Sequence, residues 1–137
     1  MVERFSISLE TGLLAGFDQF MTRHGYRNRS EAVRDLFRKA LVADEWQGGT
    51  EDVMGVISIV YDHHRRNLLN RIADIQHDSA AAVVSATHVH MDHHNCLEVI
   101  IVKGKPGQVR ALADSLMALR GVKSGALSAA STGKQLT

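Results

Sequence analysis

The sequence predicts an α+β chain of two modules, and three observations predict it. A short segment of strict apolar alternation opens the chain and is followed only by helical patterns. From residue 52 onward, strand and helix patterns succeed one another in the order βαββαβ. Between them, "DEWQGGTE" (44–51) reads as a linker, because it is polar and carries a glycine pair. The expected modules are residues 1–46 and 52–130.

In "ERFSISLE", Phe5, Ile7 and Leu9 fall on one face and Arg4, Ser6 and Ser8 on the other, the period of a half-buried strand. Leu13, Leu14, Phe17, Phe20 and Met21 then recur at helical spacing, and Gly25 is a natural stop. Asn28 and Glu31 have the spacing of a capping box before a second helix with Ala32, Val33, Leu36, Phe37, Ala40 and Leu41 on its apolar stripe. One strand without a partner leaves a row of backbone groups unpaired. Pairing with the same strand of a second chain repairs this and gives a two-stranded ribbon over four helices, the ribbon-helix-helix dimer. Such a ribbon fits the major groove of DNA. Arg4, Ser6 and Ser8 would face outward from it. Alternation alone, however, equally describes the solvated face of an ordinary strand, and that plainer reading is favoured until something else speaks.

In the second module, "VMGVISIVYD" (53–62) reads as a strand and "RRNLLNRIADIQH" (65–77) as a helix with Leu68, Leu69, Ile72 and Ile75 inward. "AAVVSATHVHM" (81–91) and "CLEVIIVKG" (96–104) read as strands. Pro106 opens a helix carrying Val109, Leu112, Ala113, Leu116 and Leu119, which Gly121 ends, and a short strand is expected at about 122–129. This order makes a ferredoxin-like sheet, whose regulatory form is the ACT domain.

Small modules bury little surface, so oligomerisation is expected to stabilise both. Net charge is +1, and residues 1–50 hold seven basic against seven acidic residues, which gives no global nucleic-acid footprint. A single cysteine excludes an intrachain disulfide framework and suits a reducing compartment. No apolar run reaches the roughly 18 residues of a membrane span, and no signal peptide opens the chain. A cytoplasmic protein with no membrane role is expected.

Chemistry concentrates in "THVHMDHHNC" (87–96). Seven of the eight histidines lie between positions 63 and 94. His88 and His90 are two apart on a strand and share a face. If the following hairpin pairs residue 90 with 96, Cys96 projects to the same side. Two imidazoles and a sulfur select a late first-row divalent cation over magnesium or calcium. His77, ending the preceding helix, is the leading fourth ligand. Topology puts it roughly 20–25 Å from His88 and His90, counting along the intervening strand, so it would have to come from a neighbouring subunit. His93 and His94 lie in the turn, where exposed histidines often bind nothing. A nucleophile–base reading of Cys96 and His90 lacks an oxyanion-type glycine loop and a third orienting residue.

Two separate segments then agree on one family. The chain resembles the nickel-responsive repressors of the NikR type over nearly its whole length, through "RFSISL" (4–9), "GYRNRSEAVRDLFR" (25–38), "YDHHRR" (61–66), "IQH" (75–77) and "THVHMDHHNCLE" (87–98). The resemblance implies Ni²⁺, one per subunit, held by His88, His90 and Cys96 of one subunit and His77 of another. It implies base contacts from Arg4, Ser6 and Ser8, and DNA backbone contacts from Arg65 and Arg66. It also implies a secondary cation site at Glu31 and Asp35, and a supporting role for Glu98 behind the metal. A palindromic double-stranded operator and a homotetramer, a dimer of dimers, complete the picture. Neither His63 nor His64 receives a primary role, and "DSA" follows His77 where some relatives have a histidine run.

The expected function is a non-enzymatic, nickel-dependent repressor, with nickel-uptake genes as targets. Its rivals are a metal storage or delivery protein, and an antitoxin-like DNA-binding protein whose ACT domain senses a small molecule. DNA binding that requires stoichiometric nickel separates the three.

Overall fold

A computed structural model describes all residues, 1–137, which form two compact units, Met1–Lys39 and Ala40–Thr137. No helix is long and apolar enough to cross a membrane.

The first unit holds α1 (Thr11–His24) and the start of α2 (Arg29–Trp46). Gly25 ends α1 at φ 74°, the left-handed conformation that glycine adopts without steric cost. The Tyr26 N–H closes the turn on the Met21 carbonyl at 3.0 Å. At the start of α2 the Asn28 side-chain oxygen accepts the Glu31 N–H at 2.9 Å, the cap expected from their spacing. Arg29 grips Asp18 of α1 through two hydrogen bonds, 2.9 and 3.1 Å.

Residues 1–10 form no hydrogen-bonded strand, contrary to the alternation. The physical reason is the one that made the lone strand suspect: the rest of its unit is helical and holds no strand to pair with. Only Met21 and Ala32 are buried in this unit, while Phe5, Ile7, Leu13, Leu36 and Phe37 stay exposed. Phe5 stacks on Phe37 with centroids 5.7 Å apart. By itself the unit has an apolar face and no closed core.

The second unit contains β1 (Val53–Asp62), α3 (Leu68–Asp78), β2 (Ala82–His90), β3 (Asn95–Gly104), α4 (Pro106–Met117) and β4 (Val122–Ala129). The sheet is antiparallel throughout, in the order β2-β3-β1-β4, the ferredoxin-like arrangement expected. Burial alternates along β1, so that Val53, Ile57, Ile59 and Tyr61 face the helices and pack with Leu68, Ile72, Leu112 and Leu116. Gly55 lets α4 approach: a Cβ there would lie 2.7 Å from Val109 Cγ1.

Four local expectations need correction. The linker starts later than residue 44, because α2 runs on to Trp46, which is 3% exposed in the core of the second unit. Its indole N–H donates to the Ala130 carbonyl at 2.8 Å, and the Arg110 guanidinium lies 5.5 Å over its ring. The boundary between the units accordingly falls inside α2, after Lys39. The third helix starts at Leu68, since Asn67 at φ 63° cannot be helical, and Arg65 and Arg66 lie in the preceding turn. Leu69 is exposed on that helix rather than inward. The last helix ends at Met117, and turns closed by Leu119 N–H on Leu116 and Val122 N–H on Leu119 carry the chain past Gly121.

Candidate metal centre

The edge hairpin of β2 and β3 has the expected register: His90 faces Cys96 and His88 faces Glu98. Asp92 makes the turn rigid. Its carboxylate accepts the N–H groups of His94 at 2.9 Å and Asn95 at 2.7 Å, and the Asn95 amide at 2.9 Å. These donors, those of Asn95 foremost, hold its pKa down at about 2. The turn therefore keeps its carboxylate clamp at any pH near neutrality.

Cys96, Glu98, Ile100 and Val102 alternate into the buried face of β3, which is the face of the helices. Cys96 is 1% exposed, and its sulfur lies 3.8 Å from His88 Nδ1. The other nitrogen of that ring, Nε2, lies 3.2 Å from Glu98 Oε1. Glu98 is 2% exposed and accepts the Tyr61 hydroxyl at 3.0 Å and the Gln76 amide at 3.4 Å. Glu98 thus sits beside Nε2 of His88, while Nδ1 of the ring lies between the Tyr61 hydroxyl, at 3.3 Å, and the sulfur. A carboxylate behind a histidine in this way is the usual support of a metal ligand, fixing tautomer and ring orientation. Burial, and then the Glu98 charge, push the Tyr61 phenol well above its ordinary range, so it stays a neutral donor. The donor set fits a late first-row cation: a nitrogen aimed at a buried thiol, and a second imidazole across the strand pair.

His90 meets the edge of His63, with centroids 4.9 Å apart. His63 Nδ1 is buried without a hydrogen-bond partner, and burial, ahead of its neighbours His64 and His90, lowers its pKa. Composition flagged His63 but gave it no role; only the pairing of β1 with β3 sets it beside the hairpin.

His77 is exposed in the last turn of α3 and is not gathered with the other three. The strand-length count overstated its separation from them. Gln76, one residue before it, reaches Glu98, so this helix end lies over the middle of the hairpin rather than beyond the far end of β2. Side chains one residue apart on a helix diverge by about 100°, so His77 points out where Gln76 points in.

Arg4, Ser6 and Ser8 are exposed in the N-terminal segment, and Arg65 and Arg66 in the turn before α3. Glu31 and Asp35 sit four apart on α2. Asp35 already accepts the Tyr26 hydroxyl and lies 3.5 Å from Lys39 Nζ, and these two, Tyr26 first, hold its pKa down. A cation there would have to displace Lys39.

Residues 54–130 match the family described as the NikR C-terminal nickel-binding domain. A protein of Desulfotalea psychrophila named "Putative nickel-responsive regulator" is 57% identical over 136 residues, 99% of each chain. One of the same name from Pyrococcus horikoshii is 49% identical over 133 residues, 97% of this chain and 96% of that one. Among solved structures, the ACT domain from a GTP pyrophosphokinase of Chlorobium tepidum has a TM-score of 0.48 and 17% identity, covering 56% of this chain and 99% of that one.

Proposed function

Because the chain belongs to the family of nickel-responsive regulators, and so binds Ni²⁺, we propose that it represses transcription by binding operator DNA when nickel is bound, with nickel-uptake genes as its targets. One observation carries the reading: His88 Nδ1 stands 3.8 Å from the Cys96 sulfur on a hairpin whose register puts His90 across from Cys96. These three residues would hold the nickel, one ion per subunit, with Glu98 supporting His88 from behind. When bound, the ion supplies a coordination link between the strands of the hairpin and whatever chain contributes the fourth donor. His77 of a neighbouring subunit is that donor, which its outward orientation supports.

The N-terminal segment pairs with its copy in a second chain. The exposed Phe5, Ile7, Leu13, Leu36 and Phe37 give this dimer an apolar face to bury. Its ribbon then presents Arg4, Ser6 and Ser8 to base edges of a palindromic operator, while Arg65 and Arg66 meet phosphates. Two such dimers make a tetramer. Glu31 and Asp35 form a secondary cation site once Lys39 has moved. Nickel activates by linkage, binding better to the DNA-competent arrangement and so raising its population.

Footprinting on the DNA upstream of the chain's own gene and of nearby transporter genes, with and without nickel, tests the reading. Protection is expected only with stoichiometric nickel; nickel binding without any protection would favour a storage or delivery role. Arg4→Ala is expected to lose discrimination between operator and unrelated DNA. One bidentate arginine–guanine contact gives about 1–3 kcal/mol, a roughly 5- to 150-fold preference. Arg65→Ala should weaken binding to all sequences alike and flatten its salt dependence. Full sequence preference in Arg4→Ala, measured by competition, would remove the ribbon from the base contacts.

A further inference from the structure

Asp62, His64 and His94 each offer a ligand atom, and these atoms all lie within 4.8 Å of one another. None of the three belongs to the set proposed for nickel. Two loops bring them together. Asp62 ends β1 opposite Asn95, which begins β3, so the turn after β1 and the hairpin loop 91–94 run side by side. The His63 N–H donates to the His94 carbonyl at 3.2 Å and ties one loop to the other.

Each donor is positioned by its backbone. Asp62 Oδ1 accepts the His64 N–H at 2.9 Å, which fixes the carboxylate beneath that residue, and it lies 3.7 Å from His64 Nδ1. The Asp92 clamp holds His94 through its own N–H. The His64 and His94 rings stand edge to face with centroids 5.8 Å apart, and His93 borders both, at 5.2 Å from His64 and 4.8 Å from His94.

We propose that Asp62, His64 and His94 form a second divalent-metal site on each chain, weaker than the one built around Cys96. Two imidazole nitrogens with one carboxylate oxygen select nickel, copper or zinc over magnesium and calcium, which take oxygen donors. Three protein ligands leave open positions for water. The side chains of His64 and Asp62 are 51% and 33% exposed, so these positions face solvent and exchange is rapid. Absence of a thiolate makes the site weaker and less selective than its neighbour. Occupancy would clamp the turn carrying His63, which borders His90, to the loop that leads into Cys96. Excess metal would thereby stiffen the rim of the first site.

Equilibrium dialysis of the full-length protein against nickel chloride alone, with absorption spectra taken at each step, tests this. With Glu31→Gln and Asp35→Asn as the shared background, so that the α2 carboxylates take no ion, the protein should bind in two phases, about two ions per chain at saturation, with the thiolate-to-nickel band complete after the first. A double variant, His64→Ala with His94→Ala, should lose the weaker phase and about one ion per chain while keeping that band and its endpoint. Both side chains are exposed, and unchanged circular dichroism and melting of the metal-free variant will show that it folds. Cys96→Ala should do the reverse, losing the band and keeping the weaker phase. The proposal is overturned if the protein lacking the Glu31 and Asp35 carboxylates saturates at one ion per chain, or if the His64→Ala, His94→Ala variant in that background still binds the second. Failure of the Cys96 assignment has a different signature, a nickel band that survives in Cys96→Ala.

Discussion

Cys96→Ser is expected to abolish the thiolate-to-nickel absorption and to weaken nickel binding by at least about a hundredfold, since loss of a supporting residue alone costs roughly 10- to 100-fold. Cys96 contributes the one thiol in the chain, and serine does not ionise near neutral pH. The metal-free fold should persist. Serine nearly matches cysteine in size, and its hydroxyl can donate to His88 Nδ1, the neighbour of the present thiol. A buried hydroxyl left unpaired would otherwise cost about 1–3 kcal/mol. Because binding displaces the thiol proton, wild-type affinity should also fall as the pH is lowered. Titration followed by absorption and by calorimetry checks both points. An unchanged spectrum in the serine variant removes Cys96 from the metal.

The second large effect is complementation between chains. His77→Ala and Cys96→Ala oligomers should each lack the native nickel spectrum, yet a co-refolded equal mixture should regain it in part. A pair of chains holding one of each has a single complete site, with Cys96 intact on one chain and His77 on its partner. Random pairing across a two-fold axis then predicts recovery of about a quarter of the wild-type signal. A site built within one chain predicts none, because neither variant carries all its donors. Mass spectrometry of the mixture must show exchanged chains, and absence of signal despite exchange would sink the shared site. Gln76 bears on this outcome: it occupies the inward direction at the end of α3, toward Glu98, and leaves His77 the outward one.

Period and punctuation made much of this fold legible. The apolar run "VMGVISIVYD" located β1 to the residue, and the register expected if residue 90 paired with 96 is the one observed. Those are local signals. What stayed hidden depends on contacts distant in sequence or on a second chain. Helical periodicity could not reveal that Asn67 takes a left-handed conformation and delays α3. Glu98 was recognised, but its partners Tyr61 and Gln76 come from β1 and α3, beyond the reach of any spacing rule. The meeting of His64 with His94 stayed hidden for the same reason, since it exists only because β1 and β3 are neighbours in the sheet. Alternation in residues 3–10 produced no strand, because period alone supplies no neighbouring strand for the segment to bond to.

The burial of Trp46 has a consequence for how unfolding is seen. It is the only tryptophan in the sequence, and it packs within the second unit. Its fluorescence is therefore a lamp placed in one room of the molecule. Melting of residues 40–137 will change the emission, as water replaces the Ala130 carbonyl and the Arg110 guanidinium beside the indole. Loosening of residues 1–39 will leave the colour of that light unaltered, although backbone dichroism registers the loss of α1. A denaturation curve read from fluorescence alone thus measures the sheet and its helices, and coincidence with the dichroism curve becomes a measure of whether the two units melt as one.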